Sequence, residues 1–80
     1  MRDMTDIYYP SDRELAYLRA TLVGKRVRLD YTSDRYTQLR SGDLGTVTGI
    51  DHLGTVRVKW DNGSNLGLVE DAGDRFSVVG

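Results

Sequence analysis

Cysteine is absent from these 80 residues, which removes disulfide staples and thiolate metal sites together. Proline, phenylalanine, tryptophan and histidine each occur once. A single histidine without cysteine leaves too few nitrogen and sulfur ligands for a zinc centre. Long apolar runs are also missing, so no segment has the ~20 residues needed to cross a bilayer, nor the core of a secretion signal. What remains is one small domain, near the lower limit at which a single core holds itself together. It is read as cytoplasmic, with no membrane association and no cofactor.

Charge of one sign is not in excess overall, since the formal net charge is −1. Along the chain it is uneven. Residues 25–60 carry Lys25, Arg26, Arg28, Arg35, Arg40, Arg57 and Lys59 against Asp30, Asp34, Asp43 and Asp51. Residues 61–80 carry only Arg75 against Asp61, Glu70, Asp71 and Asp74. This division makes either a basic face on an acidic body or two halves that neutralise each other in space.

Residues 1–10 lack periodicity and read as a flexible arm, with Ile7, Tyr8 and Tyr9 free to dock. Residues 11–23 read as a helix. Ser11 suits the N-cap, Glu14 completes a capping box, and Leu15, Leu18 and Leu22 form one apolar stripe. Gly24 suits the stop.

From Lys25 the period becomes two. "KRVRLDY" places Val27, Leu29 and Tyr31 inward and Arg26, Arg28 and Asp30 outward. A polar loop, "TSDRYTQLRSGD", leads to "LGTVTGID", where Gly45 and Gly49 suit a close approach or a bulge. "TVRVKW" turns Val56, Val58 and Trp60 inward, and "DNG" predicts a turn of the primed type. "SNLGL" reads as a short fourth strand, "VEDAGD" as a connection or single helical turn, and "RFSVV" as a fifth strand. The fold expected over residues 24–80 is mainly β, a small five-stranded SH3-like barrel with one N-terminal α-helix.

Catalytic patterns are lacking. His52 beside Asp51 falls in a hairpin turn and reads as a solvated pair. Glu70, Asp71 and Asp74 lack calcium-loop spacing and read as a solvated acidic turn. Gly42, Gly45, Gly49 and Gly54 are followed by no Lys-Ser/Thr pair of a phosphate loop. Asn62-Gly63-Ser64 fits a turn better than a glycosylation site. No enzyme is expected.

Two surfaces remain. Long loops in compact domains are commonly functional, and the one here joins Asp34, Arg35 and Tyr36 in an amphipathic set. With Tyr31 and Trp60 these residues form the candidate protein-binding site. The alternative is nucleic-acid binding by the outward Arg26, Arg28, Arg57 and Lys59. Trp60 itself suits packing better than recognition, because burying its ring gives a small core an anchor.

Several motifs occur in order: Val27 and Leu29; Asp34, Tyr36, Thr37 and Leu39; Gly42, Gly45, Thr46 and Val47; Val58 to Ser64, Leu66 and Leu68; and Asp74 with Phe76. Together they resemble a domain family of unknown function numbered 4314, found in actinobacteria, their phages and mobile elements. The resemblance spans residues 24–79 and leaves the helix outside it. Arg35 and Ser41 stand where that pattern expects proline. "GDLGTVTGI" is also similar to the KOW-type barrels, and the Val-x-Trp-Asp-x-Gly run to an SH3-like module of certain ubiquitin ligases. The resemblance implies an SH3-like accessory protein of a phage or mobile element. Its partner is then an unidentified protein, of the host or the phage, with nucleic acid or a second copy of the chain as alternatives.

Overall fold

Ser11 and Glu14 cap each other: the Glu14 amide donates to Ser11 Oγ at 3.1 Å and the Ser11 amide to Glu14 Oε1 at 3.2 Å. This capping box opens helix α1 (Asp12–Leu22), with Asp12 and Glu14 at the positive end of its dipole. The helix stops at Val23, whose backbone is extended, and Gly24 turns the chain at φ +87°. The Gly24 amide then donates to the Val47 carbonyl at 2.7 Å. Leu15 is buried, and Leu18 and Leu22 pack beside it. Arg19 pins the helix to the sheet, its Nε and one terminal nitrogen both donating to the Ile50 carbonyl, at 3.1 and 3.0 Å. The computed structural model in which these contacts are seen describes residues 10–34 and 37–80. The expected N-terminal arm lies, but for Pro10, outside the described residues. Among the described residues, no helix is long and apolar enough to cross a membrane.

Four strands follow: β1 (Arg26–Tyr31), β2 (Leu44–Ile50), β3 (Val56–Trp60) and β4 (Arg75–Val78). They form one antiparallel sheet in the order β3-β2-β1-β4, with a 3₁₀ turn at Glu70–Ala72 before the last strand. Val27, Leu29, Val47, Val56, Val58 and Trp60 make the inner face, as alternation requires, and Ile50 joins them. Leu15 closes it from the helix, and Leu39 and Leu68 from the loops.

Trp60 is 1% exposed and lies over Gly45. A Cβ at Gly45 would stand 2.9 Å from the indole, 2.6 Å from Val58 Cγ1 and 2.9 Å from the Lys59 carbonyl oxygen. The ring therefore occupies the space a side chain would need. Its N–H donates to the Leu66 carbonyl at 2.9 Å, so the one polar atom of the indole is satisfied.

The expected fifth strand is present as β4, but among the described residues the expected fourth strand and the barrel closure are not found. "SNLGL" meets β3 at one bridge only, Val56 with Leu68. The physical reason is that Leu66 has committed its backbone elsewhere. Its carbonyl accepts from Trp60 Nε1 and its amide donates to Ser64 Oγ at 3.3 Å. A ladder cannot continue through a residue whose backbone groups are bound to side chains.

Two bulges also shift the alternation. Between Leu29 and Tyr31 the register with β4 slips by one residue, so Tyr31 emerges beside Asp30 at 56% exposure rather than facing inward. Between Val47 and Gly49 a similar slip turns Ile50 inward, three residues after Val47. The Asp61-Asn62-Gly63 turn differs from the primed type, because only Gly63 has positive φ, at +92°. Asn62 instead accepts from the Ser64 amide at 2.9 Å, and the Gly63 amide closes onto the Trp60 carbonyl at 3.0 Å.

Gly45→Ala is expected to destabilise the protein by about 1–3 kcal/mol, because two of the three atoms in the way cannot swing aside. Gly49→Ala, with nothing within 4 Å of the added carbon and no positive φ, is expected to be neutral or slightly stabilising. Urea unfolding followed by tryptophan fluorescence measures both.

Candidate functional site

Residues 32–43 connect β1 to β2 and carry most of the expected contact residues. The loop is fastened at both feet. At the first, Asp74 is 5% exposed and accepts four hydrogen bonds: Thr32 Oγ1 at 3.0 Å, the Ser33 amide at 2.9 Å, Ser33 Oγ at 3.3 Å and the Val69 amide at 2.9 Å. At the second, Leu39 enters the core at 3% exposure and Ser41 Oγ donates to the Asp30 carbonyl at 2.8 Å. The Gly42 amide donates to the Leu29 carbonyl at 2.7 Å, and the Leu29 amide to the Asp43 carbonyl at 2.8 Å. Asp43 further accepts from the Arg40 amide at 2.9 Å.

Asp74 is thus no solvated acid, as its charged neighbours in sequence suggested. Burial alone would raise its pKa, but the Val69 and Ser33 amides and the Thr32 and Ser33 hydroxyls outweigh burial and hold it below the ordinary value of 3.8. The signal that marks it in the sequence is indirect: it stands two residues before Phe76, the inward residue of β4 that pairs with Leu29.

Of the expected protein-binding residues, Tyr31 stands on the outer face at the base of the loop, paired across the sheet with Arg75. Asp34 is exposed on the loop, its amide donating to Thr32 Oγ1 at 3.2 Å. Arg35 and Tyr36 lie outside the described residues. Trp60 faces the interior with its N–H occupied, so it offers no surface to line a groove. A shallow polar hollow separates the second half of the loop from the β3 turn, lined by Thr37, Gln38, Asn62, Gly63 and Ser64.

The expected basic face is largely neutralised. Arg26 grips Asp61 with two parallel hydrogen bonds, 2.8 and 2.6 Å, and also donates to Thr46 Oγ1 at 3.1 Å. The pairing raises the Arg26 pKa and lowers that of Asp61. Arg28 reaches Asp30 at 3.3 Å and Arg57 reaches Asp51 at 3.8 Å. Asp30 is held low first by Ser77 Oγ, which donates at 2.5 Å, and then by Arg28. Lys59, opposite Thr46, forms no ion pair among the described residues. So the basic and acidic halves of the chain partly cancel in space, through Arg26 and Asp61.

The Asp51-His52 turn is likewise explained locally. Asp51 Oδ1 accepts the Leu53 and Thr55 amides, each at 2.9 Å, and shapes the β2–β3 turn. Among the described residues, no group of three or more His, Cys, Asp or Glu side chains is placed to hold a metal ion.

A family model described as "Domain of unknown function (DUF4314)" matches residues 11–79. The match begins at the N-cap of α1, earlier than the motifs alone indicate, and takes in the helix that supplies Leu15 and Arg19. No curated protein and no solved structure matches the chain.

Asp74→Asn replaces one acceptor oxygen with a donor facing other donors, and is expected to cost about 1–3 kcal/mol at neutral pH. Because the folded pKa is depressed, the carboxylate's contribution is full above pH ~4 and is lost as pH falls through the folded value. The gap between wild type and Asp74→Asn should therefore narrow in acid, as urea unfolding at pH 7 and pH 3 would record.

Proposed function

The chain belongs to the DUF4314 family, and on that premise we propose that it is a non-enzymatic protein-interaction module acting through the β1–β2 loop and Tyr31. One observation carries this reading. A buried carboxylate, expensive to desolvate, is committed to holding the foot of a loop on which Ser33, Asp34 and Gln38 are exposed. A loop serving only to connect two strands needs no such anchor. A fixed frame, in contrast, lowers the ordering cost when a partner docks. Tyr31 supplies a large amphipathic contact at the base of this frame, and Asp34, with Arg35 and Tyr36 next in sequence, supplies polar partners.

The SH3-like reading of the fold is supported by the strand order, by the long first loop and by the 3₁₀ turn before the last strand. In this reading the fourth strand of such a barrel is reduced to the Val56–Leu68 bridge. A phage or mobile-element setting, with a cytoplasmic partner of host or phage origin, follows from the family resemblance and belongs to the same proposal. The nucleic-acid alternative is the weaker one, because Arg26, Arg28 and Arg57 each already face a carboxylate.

Affinity capture from a bacterial host lysate, with the protein immobilised, tests the proposal. Tyr31→Ala combined with Tyr36→Ala should abolish retention of the captured protein, or weaken it about tenfold or more, while the circular dichroism stays unchanged. Capture undiminished by both substitutions would sink the reading. In a low-salt anisotropy titration, where phosphate contacts are strongest, a DNA or RNA probe should show no saturable binding.

A further inference from the structure

The sheet has two edges, and they are treated differently. Along β3, residues 64–68 lie over the edge: Val56 exchanges both backbone hydrogen bonds with Leu68 at 2.9 Å, and the Trp60 amide donates to the Ser64 carbonyl at 3.1 Å. Among the described residues, the β4 edge has no such cover. The Val79 amide donates to the Arg26 carbonyl at 2.9 Å, and the register pairs Ser77 with Arg28. By alternation, the backbone groups of Ser77 and Val79 face β1, and those of Phe76 and Val78 face away from it. Among the described residues, nothing bonds to the amides or carbonyls of Phe76 and Val78. On the inner side of this edge Phe76 is only partly buried, and Val78 is 48% exposed.

We infer that the β4 edge is a self-association site, and that its occupant is β4 of a second copy, running antiparallel about a two-fold axis at Ser77. In that register Phe76 lies opposite Val78 of the second copy, and all outward groups of both residues are matched. Four new N–H···O=C bonds result, and the apolar flanks of Phe76 and Val78 cover each other. The charges are compatible with this pairing. Arg75 falls opposite Val79 of the second copy, so the two Arg75 residues are four positions apart, about 13 Å along the strand and beyond the screening length. A net charge of −1 per copy adds little repulsion. Having one open edge and one covered edge, the association stops at two copies instead of growing into a fibre. A four-residue edge buries less than the ~1,200 Å² of a standard interface, so the dimer is reversible. This inference rests on the β4 backbone and not on the β1–β2 loop.

Sedimentation velocity of the full chain, from ~10 μM to ~1 mM, tests it over the range expected for so small an interface. The mass should rise from 9.0 kDa toward twice that value. Val78→Pro removes only the outward amide and leaves the β1–β4 ladder intact, so it should remain monomeric throughout. Ser77→Lys places like charges face to face across the axis and should do the same, which serves as the deciding variant if the proline substitution unfolds. A wild type that stays monomeric at the highest concentration overturns the inference. So does growth past two copies, or association that survives in the folded variants.

Discussion

A carboxylate taken out of water is the constraint around which this small protein is arranged. Asp74 sits at the junction of three segments that have no strand pairing to one another: the start of the β1–β2 loop, the approach to the 3₁₀ turn at Val69, and the start of β4. Both oxygens that burial strips of water are given donors, three at Oδ1 from Thr32 and Ser33 and one at Oδ2 from Val69. The carboxylate thereby does for the loop region what the β-ladder does for the strands. It also makes that region sensitive to the protonation state of one atom pair, which an apolar junction would not be.

The rest of the architecture answers to scarcity. With one indole and a handful of aliphatics, the inner face of four short strands cannot close on itself. Helix α1 covers part of what is left open, tied by Leu15 packing and by the two Arg19 hydrogen bonds to Ile50. Pro10 rests against Gly54, where a side chain would meet the proline ring at 2.9 Å, so the helix is also seated on the β2–β3 turn. The helix is therefore part of the fold's stability, in keeping with the family match that begins at its cap.

How much of this was legible depends on the range of the interaction. The capping box at Ser11 and Glu14, the helix stop at Gly24, the inward Val27, Leu29, Val56, Val58 and Trp60, and the special positions of Gly45 and Gly49 all follow from local pattern, and they stand where pattern puts them. The outward turn of Tyr31 does not follow, because a bulge is a decision made jointly with the partner strand. The loss of the expected fourth strand depends on where the indole N–H of Trp60 lands, six residues away in sequence. The quenching of the basic face depends on Arg26 meeting Asp61, and the burial of Asp74 on Thr32 and Ser33, forty or so positions earlier. Side chains that act across such distances leave no periodic trace.

The seating of Trp60 has one more consequence, for optics. The chain's only indole is sealed from solvent and bonded to a single carbonyl, whereas Tyr31 is exposed. Its emission is therefore expected at the blue end of the tryptophan range, and it is positioned as an internal gauge of the core. A partner settling on the exposed Tyr31 side chain should leave that light nearly unchanged, whereas detachment of residues 64–68 from β3 should redden it before the sheet itself opens. The protein thus carries its own means of telling occupancy apart from unravelling.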